Sequence, residues 1–152
     1  MFNKVLTLTI GRNMPLLHFH IFEGRNEEAV KKLLDVSHEV MFEVFQVPYR
    51  DRYQLVSEYK PSHMIMEDTG LGIQRSENFI LLQIFTRPRG SEAMMKFYRI
   101  LADMLRIECG IEGSDLMISV VENNDSHWSF GNGRAQFLTG ELGSKKTIES
   151  LF

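Results

Sequence analysis

Leu16-Leu17-His18-Phe19-His20-Ile21-Phe22, with the Glu23-Gly24-Arg25-Asn26 that follows it, decides how this chain folds. Leu17, Phe19 and Ile21 alternate with His18 and His20, the period of a strand with one apolar face. Asn26 suits a helix N-cap, with Glu27 and Glu28 placed to meet the unpaired amides of a first turn. Val30, Leu33, Leu34, Ser37, Val40, Met41 and Val44 then recur at helical spacing until Pro48 stops the run. A second strand over Tyr53–Tyr59 completes a β-α-β unit.

The unit is then written a second time. Phe79–Phe85 predicts a third strand, Arg87-Pro88-Arg89-Gly90 a turn, and Ser91 the cap of a helix carrying Met94, Tyr98, Leu101, Ala102, Leu105 and Cys109. Gly110 suits the left-handed position after that helix, and Leu116–Glu122 predicts a fourth strand. Leu17 corresponds to Leu81, Val47 to Ile111, Asp51 to Asp115 and Val56 to Val120, each 64 residues on. Right-handed crossovers put both helices on one face of a four-stranded mixed sheet, so the fold class is α+β built on a duplicated β-α-β unit. The other face, with His18 and His20, is left bare. Burial against sister subunits is the simplest cover for it, which predicts an oligomer.

The chain has 152 residues, 43% of them hydrophobic and 24% charged, as one ordinary domain requires. With 17 basic and 20 acidic residues the net charge is −3, and no basic field exists to draw nucleic acid or an anionic membrane. The lone Cys109 excludes an internal disulfide and fits a reducing, cytoplasmic location. The longest apolar run, Phe79–Phe85, is a strand's length and is interrupted by Gln83, so no membrane span is expected. His18 and His20 share a strand face, but zinc needs three or four ligands and no neighbouring cluster completes the set, so no metal is expected either. Gly70-Leu71-Gly72 lacks the strand and helix that frame a phosphate loop. His38, His63 and His127 stand alone, and Met41, Met94 and Met104 read as core fillers.

Met14-Pro15 looks like a second start. Everything from Pro15 onward joins the duplicated pattern, and Met1–Asn13 does not. Residues 1–14 therefore read as a leader outside the mature protein, residues 15–142 as the domain, and residues 143–152 as a C-terminal tail. The leader's Val5–Ile10 alternation suits a strand better than a secretion signal, and no small-residue cleavage site follows it. With Met14 as the start and trimmed, Pro15 carries a secondary amine, and α-amino groups titrate at roughly 7.7–8.0. Inside a chain the same nitrogen is an amide with neither a proton nor a usable lone pair. Late in the chain, Asn123–Arg134 followed by Ala135–Leu142 forms a long, Gly-rich, aromatic loop. It reads as a functional loop or as a hairpin arm exchanged between subunits, and the two are compatible.

Together these features resemble the tautomerase superfamily, and within it the malonate semialdehyde decarboxylase family. The motifs are MPLLHFHIFEGR from Met14, VPYRDRYQ from Val47, EDTGLGIQRS from Glu67, the RPR turn from Arg87 and VENNDSHWSFGNGRAQFLTGEL from Val121, collinear over nearly all of Pro15–Leu142. The resemblance implies a homotrimeric fold with an N-terminal proline at the active site. By position, Pro15 falls on the catalytic proline, Asp51 on the acid that assists it, and Arg87 and Arg89 on the pair that binds the substrate's oxygens. Trp128, Phe130, Phe137 and Leu142 fall on the pocket wall. The implied activity is that of a lyase or tautomerase acting on a small oxo acid without a cofactor, with its own copies as partners and neither nucleic acid nor membrane. A sister group that dehalogenates cis-3-chloroacrylate uses a helix histidine and a late glutamate, where this chain has Phe42 and Trp128. Hydrolytic dehalogenation is therefore disfavoured.

The residue types agree with that chemistry. Losing carbon dioxide from a β-oxo acid leaves an enolate, so cationic donors aimed at the carbonyl oxygen stabilise the transition state. An N-terminal proline serves either as an ammonium donor or as the amine of an iminium, and the sequence leaves both open. Arg87 and Arg89 are expected to project the same way from an extended turn, although an Arg-Pro-Arg turn is also an ordinary solvated corner. The aromatic residues read as a wall that desolvates a carboxylate or as the core of a subunit interface. Asp51 reads as a catalytic partner or as the surface partner of a neighbouring arginine. Two alternatives stand beside decarboxylation: keto–enol tautomerisation of a 2-oxo acid of the phenylpyruvate type, and an inactive trimeric scaffold in which Pro15 stays internal.

Overall fold

A computed structural model describes residues 14–142; the leader's Val5–Ile10 alternation and the tail 143–152 lie outside the described residues. β1 (Leu16–Phe22) pairs in parallel with β2 (Tyr53–Tyr59) and antiparallel with β3 (Ile80–Thr86), which pairs in parallel with β4 (Leu116–Glu122). The sheet order is β2-β1-β3-β4, a four-stranded mixed sheet. α1 (Glu27–Phe45) and α2 (Ser91–Cys109) pack on each other and share one core with Leu17, Phe19, Ile21, Ile80, Leu82 and Ile84 of the central strands. Met41 and Met94 are buried in that core and Met104 packs against it, as core fillers.

Local chemistry sets the helix ends. The Asn26 side-chain oxygen accepts from the Ala29 amide at 2.8 Å, and the helix ends at Gln46, in the left-handed region at φ 51° with its N–H on Phe42 O at 2.9 Å. The second helix starts differently from the expectation. Ser91 is its first residue rather than its cap, and Gly90 precedes it at φ 81°, ψ 151° with no side-chain cap. That backbone conformation is essentially reserved for glycine. Gly110 closes α2 in the left-handed region at φ 65°.

The duplication holds with one correction. Leu33 and Phe97, Ser37 and Leu101, and Met41 and Leu105 are buried pairs that keep the 64-residue correspondence along the helices. Leu17 and Leu81 do not: Leu17 is in the core, while Leu81 lies on the other face of β3. Leu17 pairs with Gln54, and Leu82 pairs with Ile118, which is the 64-residue counterpart of Gln54. Leu17 therefore matches Leu82, and the path from that matched position to the helix start, Leu17 to Glu27 against Leu82 to Ser91, is one residue shorter in the second unit. The apolar run of β3 gave the sequence no phase to show this.

The face away from the helices carries Leu55, Met117 and Val121 exposed at 53%, 39% and 45%. At its centre His18 Nε2 lies 2.7 Å from Ser57 Oγ, and His20 bridges Tyr59 Oη and Gln83 Oε1 at 2.6 Å each. The two imidazoles lie 4.0 Å apart, centroid to centroid. Burial first, and then the neighbouring His20, hold His18 below its ordinary value of 6.5. Among the described residues no helix is long and apolar enough to cross a membrane.

Candidate active site

Strand direction gathers the candidate residues. Since β1 is parallel to β2 and antiparallel to β3, the starts of β1 and β2 meet the ends of β3 and β4. Tyr53, Leu16, Phe85 and Val121 form one row across the sheet there. Pro15, immediately before that row, is buried. Asp51 is half-buried two residues ahead of Tyr53, and its amide donates to Pro48 O at 2.9 Å. Arg87 follows the last residue of β3, and Asn123 begins the long loop by donating its amide to Thr86 O at 2.9 Å.

The two arginines rest on different elements, which corrects the expectation of a shared direction. Arg87 Nε lies 2.6 Å from Asp125 Oδ1, and its guanidinium covers the Phe137 ring at 4.8 Å. Arg89 Nε donates to Thr86 Oγ1 at 2.9 Å, and its guanidinium covers Phe45 of α1 at 4.3 Å. Alternation along a strand fails here because β3 has ended at Thr86 and the backbone turns through Gly90. Burial first, and then the charge of Arg87, push the Arg89 guanidinium down to about 10, which leaves it cationic at neutral pH.

The aromatic wall exists as contacts. Trp128 stacks on Phe130 at 5.5 Å and 7°, and Phe130 meets Phe137 edge-on at 5.3 Å. Tyr53 joins from β2, with its ring 6.0 Å from that of Phe130. Gln136 locks this arrangement: it accepts from the Phe130 amide and donates to Gly131 O, both at 2.9 Å. Leu142 closes the loop by donating its amide to Gln136 O at 3.1 Å. Thus Arg87, Trp128, Phe130 and Phe137 form one contiguous cluster, with Pro15 and Asp51 at the same edge of the sheet and Arg89 turned toward α1.

The turn bearing Asp51 is held by α1. Buried His38 donates its Nε2–H to Tyr49 O at 2.7 Å, and the Tyr49 hydroxyl donates to Glu39 at 2.8 Å. The internal counterpart of Asp51 has a structural role: Asp115, 4% exposed, accepts from the Ser76 amide and hydroxyl at 2.6 Å each. Sequence reading missed Asp125, Gln136, Tyr53, Phe45 and His38 as partners of these residues. Only His38 carried a signal, as a histidine in the apolar face of a helix.

A family model described as tautomerase enzyme matches residues 51–131, and a second of the same description matches residues 15–74. The probable tautomerase YrdN of Bacillus subtilis is 54% identical over 129 residues, 85% of this chain and 100% of its own length. A crystal structure of malonate semialdehyde decarboxylase, treated as a basis for decarboxylase and hydratase activities, is 48% identical with a TM-score of 0.81, covering 84% of this chain and 98% of that one. FG41 malonate semialdehyde decarboxylase, inhibited by 3-bromopropiolate, is 35% identical with a TM-score of 0.80, covering 85% of this chain and 98% of its own.

Proposed function

The chain belongs to the tautomerase family of enzymes, and from that premise we propose that it is a small oxo-acid lyase of the malonate semialdehyde decarboxylase type. The observation that carries the reading is the placement, at one sheet edge, of Pro15 and of Arg87 against the Trp128–Phe130–Phe137 wall, with Arg89 two residues on over Phe45. The 48% identity to a malonate semialdehyde decarboxylase supports the choice of substrate, 3-oxopropanoate.

In this reading the arginines hold the substrate's oxygens, and the aromatic wall removes water from the carboxylate. The bond between the carboxylate carbon and C2 breaks and its electron pair moves toward the carbonyl as an enolate. Carbon dioxide leaves, and protonation at C2 gives acetaldehyde. Pro15 acts as an N-terminal amine, either donating from its ammonium to the developing enolate oxygen or condensing with the aldehyde, with loss of water, to an iminium that is later hydrolysed. Both routes need residues 1–14 to be a leader absent from the active molecule, and Asp51 to bias the proton on the amine. The copies assemble as a homotrimer through the bare sheet face, where the exposed Leu55, Met117 and Val121 supply apolar surface.

Intact mass of the native protein and steady-state assays of two forms test this. Protein beginning at Pro15 decarboxylates 3-oxopropanoate, and protein retaining residues 1–14 turns over negligibly. Full activity of the long form overturns the role of the proline. A second reading, keto–enol tautomerisation of a 2-oxo acid, is favoured by the 54%-identical relative being a probable tautomerase. Enolisation of phenylpyruvate without decarboxylation of 3-oxopropanoate moves the assignment there.

A further inference from the structure

The loop that brings the aromatic wall also brings a carboxylate against Arg87. Asp125 opens the short turn Asp125–His127, and that turn is tied at several points. Asn124 Oδ1 accepts from the Ser126 amide at 3.0 Å and from its hydroxyl at 2.6 Å, and His127 Nδ1 accepts from the Asn124 amide at 3.2 Å. Trp128 Nε1 donates to Asn123 Oδ1 at 2.8 Å, and Asn123 itself is tied to Thr86, the residue before Arg87. The backbone that carries Asp125 is therefore held beside Arg87 by bonds that do not involve the ion pair.

We propose that Asp125 determines specificity: it fixes Arg87 through Nε and cancels one of the two guanidinium charges, so that the site takes monoanionic oxo acids and disfavours dianionic ones. This rests on reading the sheet edge as an oxo-acid site. Arg87 and Arg89 offer two positive charges and Asp125 one negative; the Pro15 ammonium and the Asp51 carboxylate at the same edge offset each other, so the sum stays at one, which a single carboxylate neutralises. The lowered value of Arg89, due to burial and then to Arg87, is consistent with the two cations sensing each other across the turn. The Arg87 and Asp125 side chains are 28% and 42% exposed, so the pair itself contributes little to stability. A fixed negative charge beside a binding site nevertheless penalises a dianion about twice as strongly as a monoanion, since the Coulomb energy scales with the ligand's charge.

Calorimetric titration of protein beginning at Pro15 with malonate (a dianion) and propanoate (a monoanion) tests the proposal without turnover. Asp125→Asn and Asp125→Ser shift the affinity ratio toward malonate by about 3- to 10-fold, as expected for removal of one partly screened charge. Asp125→Glu keeps the charge and leaves the ratio near the parent's. If the neutral variants lower both affinities alike, Asp125 only supports Arg87 and the inference is wrong, while the oxo-acid reading stands. If the parent protein binds neither anion, that reading falls, and the inference with it.

Discussion

Arg87 and Arg89 are two residues apart in sequence but rest on different parts of the molecule, so their replacements should differ in kind. Each is expected to lose about 10²–10³ in the rate of 3-oxopropanoate decarboxylation as the alanine variant, the usual loss for one preorganised donor to a developing oxyanion. Stability separates them. Arg87→Ala breaks a half-exposed ion pair and uncovers the half-buried Phe137, so its unfolding free energy should fall by about 1 kcal/mol. Arg89→Ala uncovers Phe45, a member of the core, and takes a donor from Thr86, so it should lower the midpoint further. Arg89→Lys should recover little of that loss, because a lysine lacks the planar group that lies over the ring. Two variants retaining activity within a few-fold of the parent would remove both arginines from the site.

Among the elements, legibility followed periodicity. β1, β2 and β4 have the bounds that the sequence pattern marks out, Leu16–Phe22, Tyr53–Tyr59 and Leu116–Glu122. β3 runs Ile80–Thr86 rather than Phe79–Phe85, because an unbroken apolar run carries length but no phase. The Arg-Pro-Arg turn and the aromatic loop stood out as motifs. Asp125, Gln136 and Phe45 did not, because their partners lie in irregular segments where spacing says nothing of direction. Duplication makes one further comparison possible. Gln46 and Gly110 end the two helices at equivalent positions, both left-handed, at φ 51° and 65°. A residue with a Cβ carries a cost of roughly 1–2 kcal/mol in that conformation. Gln46→Gly should therefore raise the unfolding free energy by about 1 kcal/mol, and Gly110→Ala should lower it by a similar amount. A Cβ at Gly110 meets nothing within 4 Å, so the loss measured there by urea denaturation reports backbone conformation and not a clash.

At the scale of the whole molecule, the sheet face without helices joins shape to pH. Leu55, Met117 and Val121 form its apolar flanks, and the His18–His20 pair with Ser57, Tyr59 and Gln83 forms a polar centre. Sedimentation equilibrium at micromolar concentration and neutral pH should give a trimer; a monomer or dimer would leave that face uncovered and remove the proposed assembly. The polar centre then sets an acid limit. His18 is held below 6.5, chiefly by burial and next by His20, so the folded chain prefers its neutral form. The unfolded chain binds the proton more readily. Stability against unfolding should therefore be fully present above pH 6.5, the ordinary value, and decline as the pH falls through it toward the lowered one. Met117 and the other apolar flanks carry no titrating group, so the decline should be traceable to the centre. His18→Gln keeps a side chain able to bond Ser57 and cannot take up a proton, so its unfolding free energy, measured by urea denaturation, should fall less than the parent's between pH 7.5 and pH 5.5. Equal weakening of parent and variant on acidification would place the acid sensitivity elsewhere in the molecule.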